Sequence, residues 1–184
     1  MTTTMSTNTD IEQLNRNNFR NCLEALARPG DIFPLTPFFD SSLLTLAAML
    51  LYSEVNFYQQ TDTNWNIIKA LTNSEEVVAK KADYLFLDTP LDNILMDAKA
   101  GVQQNPEFSA TLICRCKDLN EGTRVKLSGP GIDGTKETKI PATTGFLQLL
   151  AQKNKHFPLG VDMYFLSDTH MICGLPRTTM VEIV

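Results

Sequence analysis

The spacing of apolar and polar positions along the chain predicts helices and strands in alternation, with strands gathering toward the C-terminus. Ile11, Leu14, Phe19, Cys22, Leu23 and Leu26 recur at helical spacing, and "RPG" at Arg28 ends that helix. Thr9 and Glu12 have the form of a capping box at its start, and residues 1–9 read as a polar, disordered tail. "DIFPL" is short, extended and interrupted by proline. Asp40, Ser41 and Ser42 offer N-caps for a second helix through Leu51. "VNFYQ" from Val55 reads as a strand and "NWNIIKAL" from Asn64 as a short helix. "EEVVAKKADYLFLD" is ambiguous at first but ends in a strand at Tyr84–Leu87, where an apolar run bounded by "DTP" suits burial.

Pro90 suits the first turn of a helix expected through Lys99. "ATLICRCK" and "TRVKLSG" follow as strands, "TKETKI" as a weaker one, and "TTGFLQLLAQKN" as a helix. "VDMYFL" and "MICGL" form a closing pair. The reading predicts a single α/β domain over residues 10–184, a mixed sheet with helices on both faces. There is no internal repeat and no interdomain linker.

Composition narrows the function classes. A chain of 184 residues, 43% hydrophobic and 20% charged, suits one soluble globular domain. The net charge of −5 and the lack of any long Lys/Arg cluster argue against nucleic acid, which needs a concentrated basic surface. The polar N-terminus "MTTTMSTNTD" has no signal-peptide layout, and "LLTLAAMLLY" is half the length of a membrane span, so a cytoplasmic protein is expected. The four cysteines fit that compartment as reduced thiols. Cys114 and Cys116 alternate along a strand and so share one face.

Candidate chemistry is sparse. "SGPGIDG" (Ser128–Gly134) has the glycines of an anion cradle, but it opens no helix and lacks a P-loop lysine, so a turn between strands is the expectation. Cys114, Cys116, Cys173, His156 and His170 lack structural-zinc spacing. No G-x-S-x-G elbow marks a nucleophile. No catalytic, cofactor or metal residue is therefore assigned.

Asp162 and Arg177 stand out instead. With "SDTH" (Ser167–His170) as the hairpin loop, Leu166 opposes Met171 and Asp162 opposes Leu175. Arg177 then takes the diagonal position on the same face, within reach of the acid. Two readings stay open, an ion pair closing the sheet end and an anion or partner contact made by Arg177. Pro176 cannot donate to a ladder, so the strand should leave the sheet there and turn Thr178 and Thr179 outward.

The same residues carry a family likeness. "HFPLGVDMYFLSDTHMICGLPRTTMVEI" closely resembles the C-terminal signature of the PhnH family, the H subunit of the carbon–phosphorus lyase system. "FRNCLEALARPG", "SATLICRC" and "VKLSGPGI" agree in order, so the likeness runs from Phe19 to the C-terminus. The resemblance implies a three-layer α/β/α sandwich similar to the large domain of pyridoxal-phosphate-dependent transferases. It also implies a homodimer assembled with the G, I, J and K subunits, and no cofactor. The implied role is that of a required, non-catalytic subunit. It would support formation of alpha-D-ribose 1-methylphosphonate 5-triphosphate from ATP and methylphosphonate, with release of adenine. Asp162, Arg177, Thr178, Thr179 and Arg28 are the structural-pair or partner-contact candidates within the matched segments. The alternative is a stand-alone pyridoxal-phosphate-type transferase, which needs a Schiff-base lysine; Lys126 and Lys139 lie on or near strands but in no cofactor motif. A scaffold outside the lyase pathway is a third reading.

Overall fold

The computed structural model describes residues 8–39 and 41–184. A seven-stranded sheet forms its centre. Its strands, in spatial order, are β1 (Ile32–Pro34), β11 (Met171–Leu175), β10 (Asp162–Ser167), β7 (Thr111–Cys116), β4 (Tyr84–Leu87), β2 (Asn56–Gln60) and β3 (Glu75–Glu76). The five strands from β10 to β3 run parallel, while β11 is antiparallel to both β10 and β1. The sheet is mixed, as the sequence pattern predicts. A second sheet joins β8 (Thr123–Ser128) to β9 (Lys136–Ile140) and β12 (Met180–Ile183), all antiparallel, and β5 (Ala100–Val102) with β6 (Asn105–Ser109) makes a separate hairpin.

Side-chain alternation gives the large sheet two apolar faces. On one, Phe57, Phe86, Ile113, Tyr164, Leu166 and Ile172 pack against α1 (Asn8–Ala27), α2 (Ser42–Leu50) and α3 (Asn66–Thr72). On the other, Leu85, Leu87, Leu112, Cys114, Met163 and Phe165 meet α4 (Asp92–Asp97), α5 (Thr144–Lys153) and the inner residues of the second sheet. The central parallel strands β4, β7 and β10 are buried on both faces, which is why they read as apolar runs rather than alternating ones, whereas β2 is partly exposed and the edge strand β3 is exposed.

Side-chain capping sets the start of two helices. Ser41 caps α2, its hydroxyl oxygen accepting from the Leu44 N–H, and Thr143 caps α5 by the same bond to Phe146. Ser42, also expected as a cap, is the first residue of the helix, and Asp40, the third candidate, lies outside the described residues, as do residues 1–7 of the expected tail. Asn8 and Thr9 are the first residues of α1, so Thr9 falls inside the helix rather than at its cap. Helix α4 is shorter than expected. It starts after Leu91 and ends at Asp97, and the chain then enters the β5–β6 hairpin.

The closing hairpin corrects the expected register by one residue. Leu166 pairs with Ile172 and Met163 with Leu175. The loop is Asp168–Thr169–His170, with the His170 N–H donating to the Ser167 carbonyl at 3.1 Å and His170 in the left-handed region at φ 61°. A three-residue loop ending in a left-handed residue is a common hairpin closure, and it lengthens β10 to Ser167. A one-residue slip exchanges faces, so Leu175 shares the face of Met163, not that of Asp162.

Candidate functional site

The parallel strands give the sheet two chemically different ends. At the end where β10 begins, Asp162 receives the Arg177 guanidinium as a fork: Nη2 donates to Oδ2 at 2.6 Å and Nε to Oδ1 at 3.2 Å. The Arg177 backbone N–H adds a third bond to Oδ1 at 2.8 Å. Arg177 Nη1 also donates to the Pro106 carbonyl at 3.0 Å, tying in the β5–β6 hairpin. The two side chains are only 16% and 19% exposed. The corrected register places the continuation of β11 at Pro176 opposite Asp162, so the next backbone N–H, that of Arg177, reaches the carboxylate.

Beyond this pair the chain does not stay outside. The Thr179 N–H donates to the Pro176 carbonyl at 2.9 Å, and the turn leads into β12. Thr179 is buried at 6% exposure, its hydroxyl unpaired, and Thr178 is half-buried with its carbonyl against Gly129. The expectation of an outward Thr179 is thus corrected, since the turn into β12 is packed there, while Thr178 keeps part of its surface on the groove. Arg177, Thr178 and Met180 instead border an apolar groove of about 500 Å³ with Lys155 and Phe157. Phe157 and Met180 are the exposed apolar residues on it. Arg28 lies elsewhere, at the end of α1, bonded to Glu24 at 3.1 Å and beside a separate cavity with Asp31 and Lys136.

At the opposite end the C-termini of β2, β4, β7 and β10 converge. The connection leaving β2 passes through α3 on one face and that leaving β4 through α4 on the other. The crevice between them is the switch point where ligands of open α/β sheets usually bind. Arg115 of β7 occupies it. Its Nη1 reaches Asp62 at 3.1 Å and Asp88 at 3.0 Å, and its Nη2 lies 4.0 Å from Asp168. One guanidinium fastens the loops after three strands. Cavities of about 380 and 430 Å³ lie on either side of it.

A family model described as "Bacterial phosphonate metabolism protein (PhnH)" matches residues 8–182. The chain belongs to the PhnH family. HtxG of Stutzerimonas stutzeri, provisionally named a C-P lyase subunit protein, is 28% identical over 168 residues, covering 90% of this chain and 84% of HtxG. The alpha-D-ribose 1-methylphosphonate 5-triphosphate synthase subunit PhnH of Rhizobium meliloti (strain 1021) is 35% identical over 86 residues. That match covers 45% of this chain and 41% of the relative.

Within this PhnH fold the cysteines are packing residues. All four are free; burial pushes the Cys22 thiol up to about 12 and the Cys173 thiol up to about 11. Cys114 and Cys116 do share a face and pack in the same cluster. "SGPGIDG" is the β8–β9 connection. A Cβ on Gly131, at φ +82°, would stand 1.9 Å from the Ala27 carbonyl oxygen, so this glycine lets the loop close on the end of α1. Among the described residues no group of three or more His, Cys, Asp or Glu side chains is placed to hold a metal ion. No described helix is long and apolar enough to cross a membrane. Arg115 and its three aspartates escaped the sequence reading. Each aspartate follows a strand end, a position that becomes visible only once the strands are known to be parallel.

Proposed function

We propose that this chain works as a C-P lyase subunit in phosphonate metabolism, acting in assembly with partner subunits rather than by chemistry of its own on ATP and methylphosphonate. The observation that carries this reading is the family match over residues 8–182, supported by relatives named as subunits of C-P lyase and of the ribose-triphosphate synthase. The partners are the G, I, J and K subunits, the chain is a cytoplasmic homodimer, and the product supported is alpha-D-ribose 1-methylphosphonate 5-triphosphate. The turn fixed by Asp162 and Arg177 supplies the docking feature, since with Lys155 and Phe157 of the α5–β10 connection and Met180 of β12 it lines one groove. An apolar floor with a lysine at its rim suits a partner segment that is apolar and acidic. Asp162, Arg177 and Thr178 hold that surface in shape, whereas Arg28, remote in the contacts it makes, is a second contact point.

A stand-alone pyridoxal-phosphate-type transferase is the weaker reading, although the layered α/β fold is proposed to be similar to that class. Lys126 stands 4.0 Å from Glu182, and neither it nor Lys139 lines one of the four cavities above. The experiment is co-expression with the G, I, J and K subunits and purification through a tag on one of them. Co-purification, with adenine released from ATP and methylphosphonate only in the presence of partners, is expected. A chain that fails to join the complex, or that releases adenine alone, would overturn the proposal.

A further inference from the structure

Ser42 and His170 are 128 positions apart in sequence, yet Ser42 Oγ and His170 Nδ1 are 2.7 Å apart. Both line the 380 Å³ cavity beside Arg115, with Ser42 buried at 8% exposure and His170 at the exposed lip. The histidine is carried on a fixed stem. Its backbone is held at φ 61°, its N–H donates to the Ser167 carbonyl, and its own carbonyl accepts from the Leu35 N–H at 2.8 Å. Ser42 is the first residue of α2. The Leu44 and Thr45 N–H groups donate to Ser41, which fixes the start of the helix that carries Ser42. A hydroxyl paired with an imidazole at the wall of a cavity is the arrangement of a base-assisted nucleophile.

We propose that Ser42 is a nucleophile, with His170 as its general base, toward small uncharged carboxylic esters that enter this cavity. With the ring proton on Nε2, His170 Nδ1 accepts from the Ser42 hydroxyl. Ser42 Oγ bonds to the ester carbonyl carbon while its proton passes to Nδ1, and the carbonyl oxygen becomes the oxyanion. On collapse the carbon–oxygen bond to the alcohol breaks, and the imidazolium returns the proton to the leaving alkoxide. Water, deprotonated by the same nitrogen, then releases the acid and restores Ser42. The lining selects against anions. Asp62 and Asp168 oppose a single guanidinium that they and Asp88 already engage. This activity is independent of assembly with other subunits.

The test treats the full chain with an alkyl fluorophosphonate. Reaction forms the Ser Oγ–P bond and breaks P–F, and fluoride leaves with the hydroxyl proton. One adduct is expected by intact mass, mapping to Ser42 and absent in Ser42→Ala. His170→Asn removes the base while asparagine still tolerates the left-handed turn. It should slow labelling by about 100-fold or more, the typical scale of general-base assistance. Circular dichroism checks that each variant is folded; if one is not, the mapping on the unaltered chain decides alone. No adduct, an adduct on another residue, or wild-type labelling of folded His170→Asn would overturn the proposal.

Discussion

Replacing Arg177 by alanine tests whether the carboxylate inside β10 depends on its guanidinium. The change removes two bonds to Asp162, at 2.6 and 3.2 Å, and one to the Pro106 carbonyl at 3.0 Å. Exposed ion pairs contribute about 0–1 kcal/mol, whereas stripping one partner from a buried pair costs about 3–5 kcal/mol. At 16% and 19% exposure this pair lies nearer the buried limit. The Arg177 backbone N–H, 2.8 Å from Oδ1, survives the substitution and keeps the carboxylate partly satisfied. The expected loss is therefore about 2–3 kcal/mol, between those limits. Urea denaturation followed by circular dichroism would show it as a lower midpoint with an unchanged slope. Arg177→Lys should recover less than half, since a lysine cannot reproduce the planar fork. Asp162→Asn combined with Arg177→Ala should cost less than the sum of the two singles, because they share one interaction. A loss below about 0.5 kcal/mol in Arg177→Ala, the range of ordinary surface substitutions, would refute the reasoning.

Gly131→Ala should destabilise the fold by more than about 3 kcal/mol, because a Cβ 1.9 Å from a backbone oxygen must displace α1 or the loop. Gly134→Ala in the same loop meets open space at φ +68° and should cost only about 1–2 kcal/mol, so equal melting temperatures for the two variants would contradict the packing argument. Alkali should weaken the fold. Unfolded thiols lose their protons from about pH 8.5, whereas the folded Cys173 and Cys22 thiols keep theirs to about 11 and about 12. The unfolded state then binds fewer protons in that window, so stability is complete below it and is lost as pH rises through it. Melting curves at pH 7.5 and 10 should show the fall, with a shallower one in Cys22→Ala; identical slopes would remove burial of that thiol as a cause.

Buried, double-faced strands were the most legible part of the fold. Tyr84–Leu87 and Thr111–Cys116 declare themselves as apolar runs because both sheet faces are covered. Elements that bury one face or neither left a weaker trace. The β5–β6 hairpin is mostly exposed along Asn105–Ser109, and β12 alternates exposed and half-buried residues over only Met180–Ile183. Propensity and periodicity have little to act on there, and tertiary pairing decides. The crevice at the C-terminal strand ends was illegible for a different reason. Asp62, Asp88, Arg115 and Asp168 are distant in sequence, and nothing in their local surroundings marks them as neighbours.

The Asp162–Arg177 pair shows how a wrong register still led to the right partners. Counting from a four-residue loop set Arg177 diagonally across from Asp162, while the three-residue loop that forms sets Pro176 opposite instead. Either count leaves Arg177 within two residues of the position opposite Asp162, and a long arginine side chain absorbs the one-residue error. A short side chain could not, and Thr179 demonstrates it. The turn into β12 carries its hydroxyl into the interior rather than to the surface. Sequence-based pairing of long charged residues is therefore tolerant to register, whereas the facing of small residues is not. The part of the matched segment most open to misreading is thus the short turn, Thr178–Thr179, and not the ion pair that anchors it.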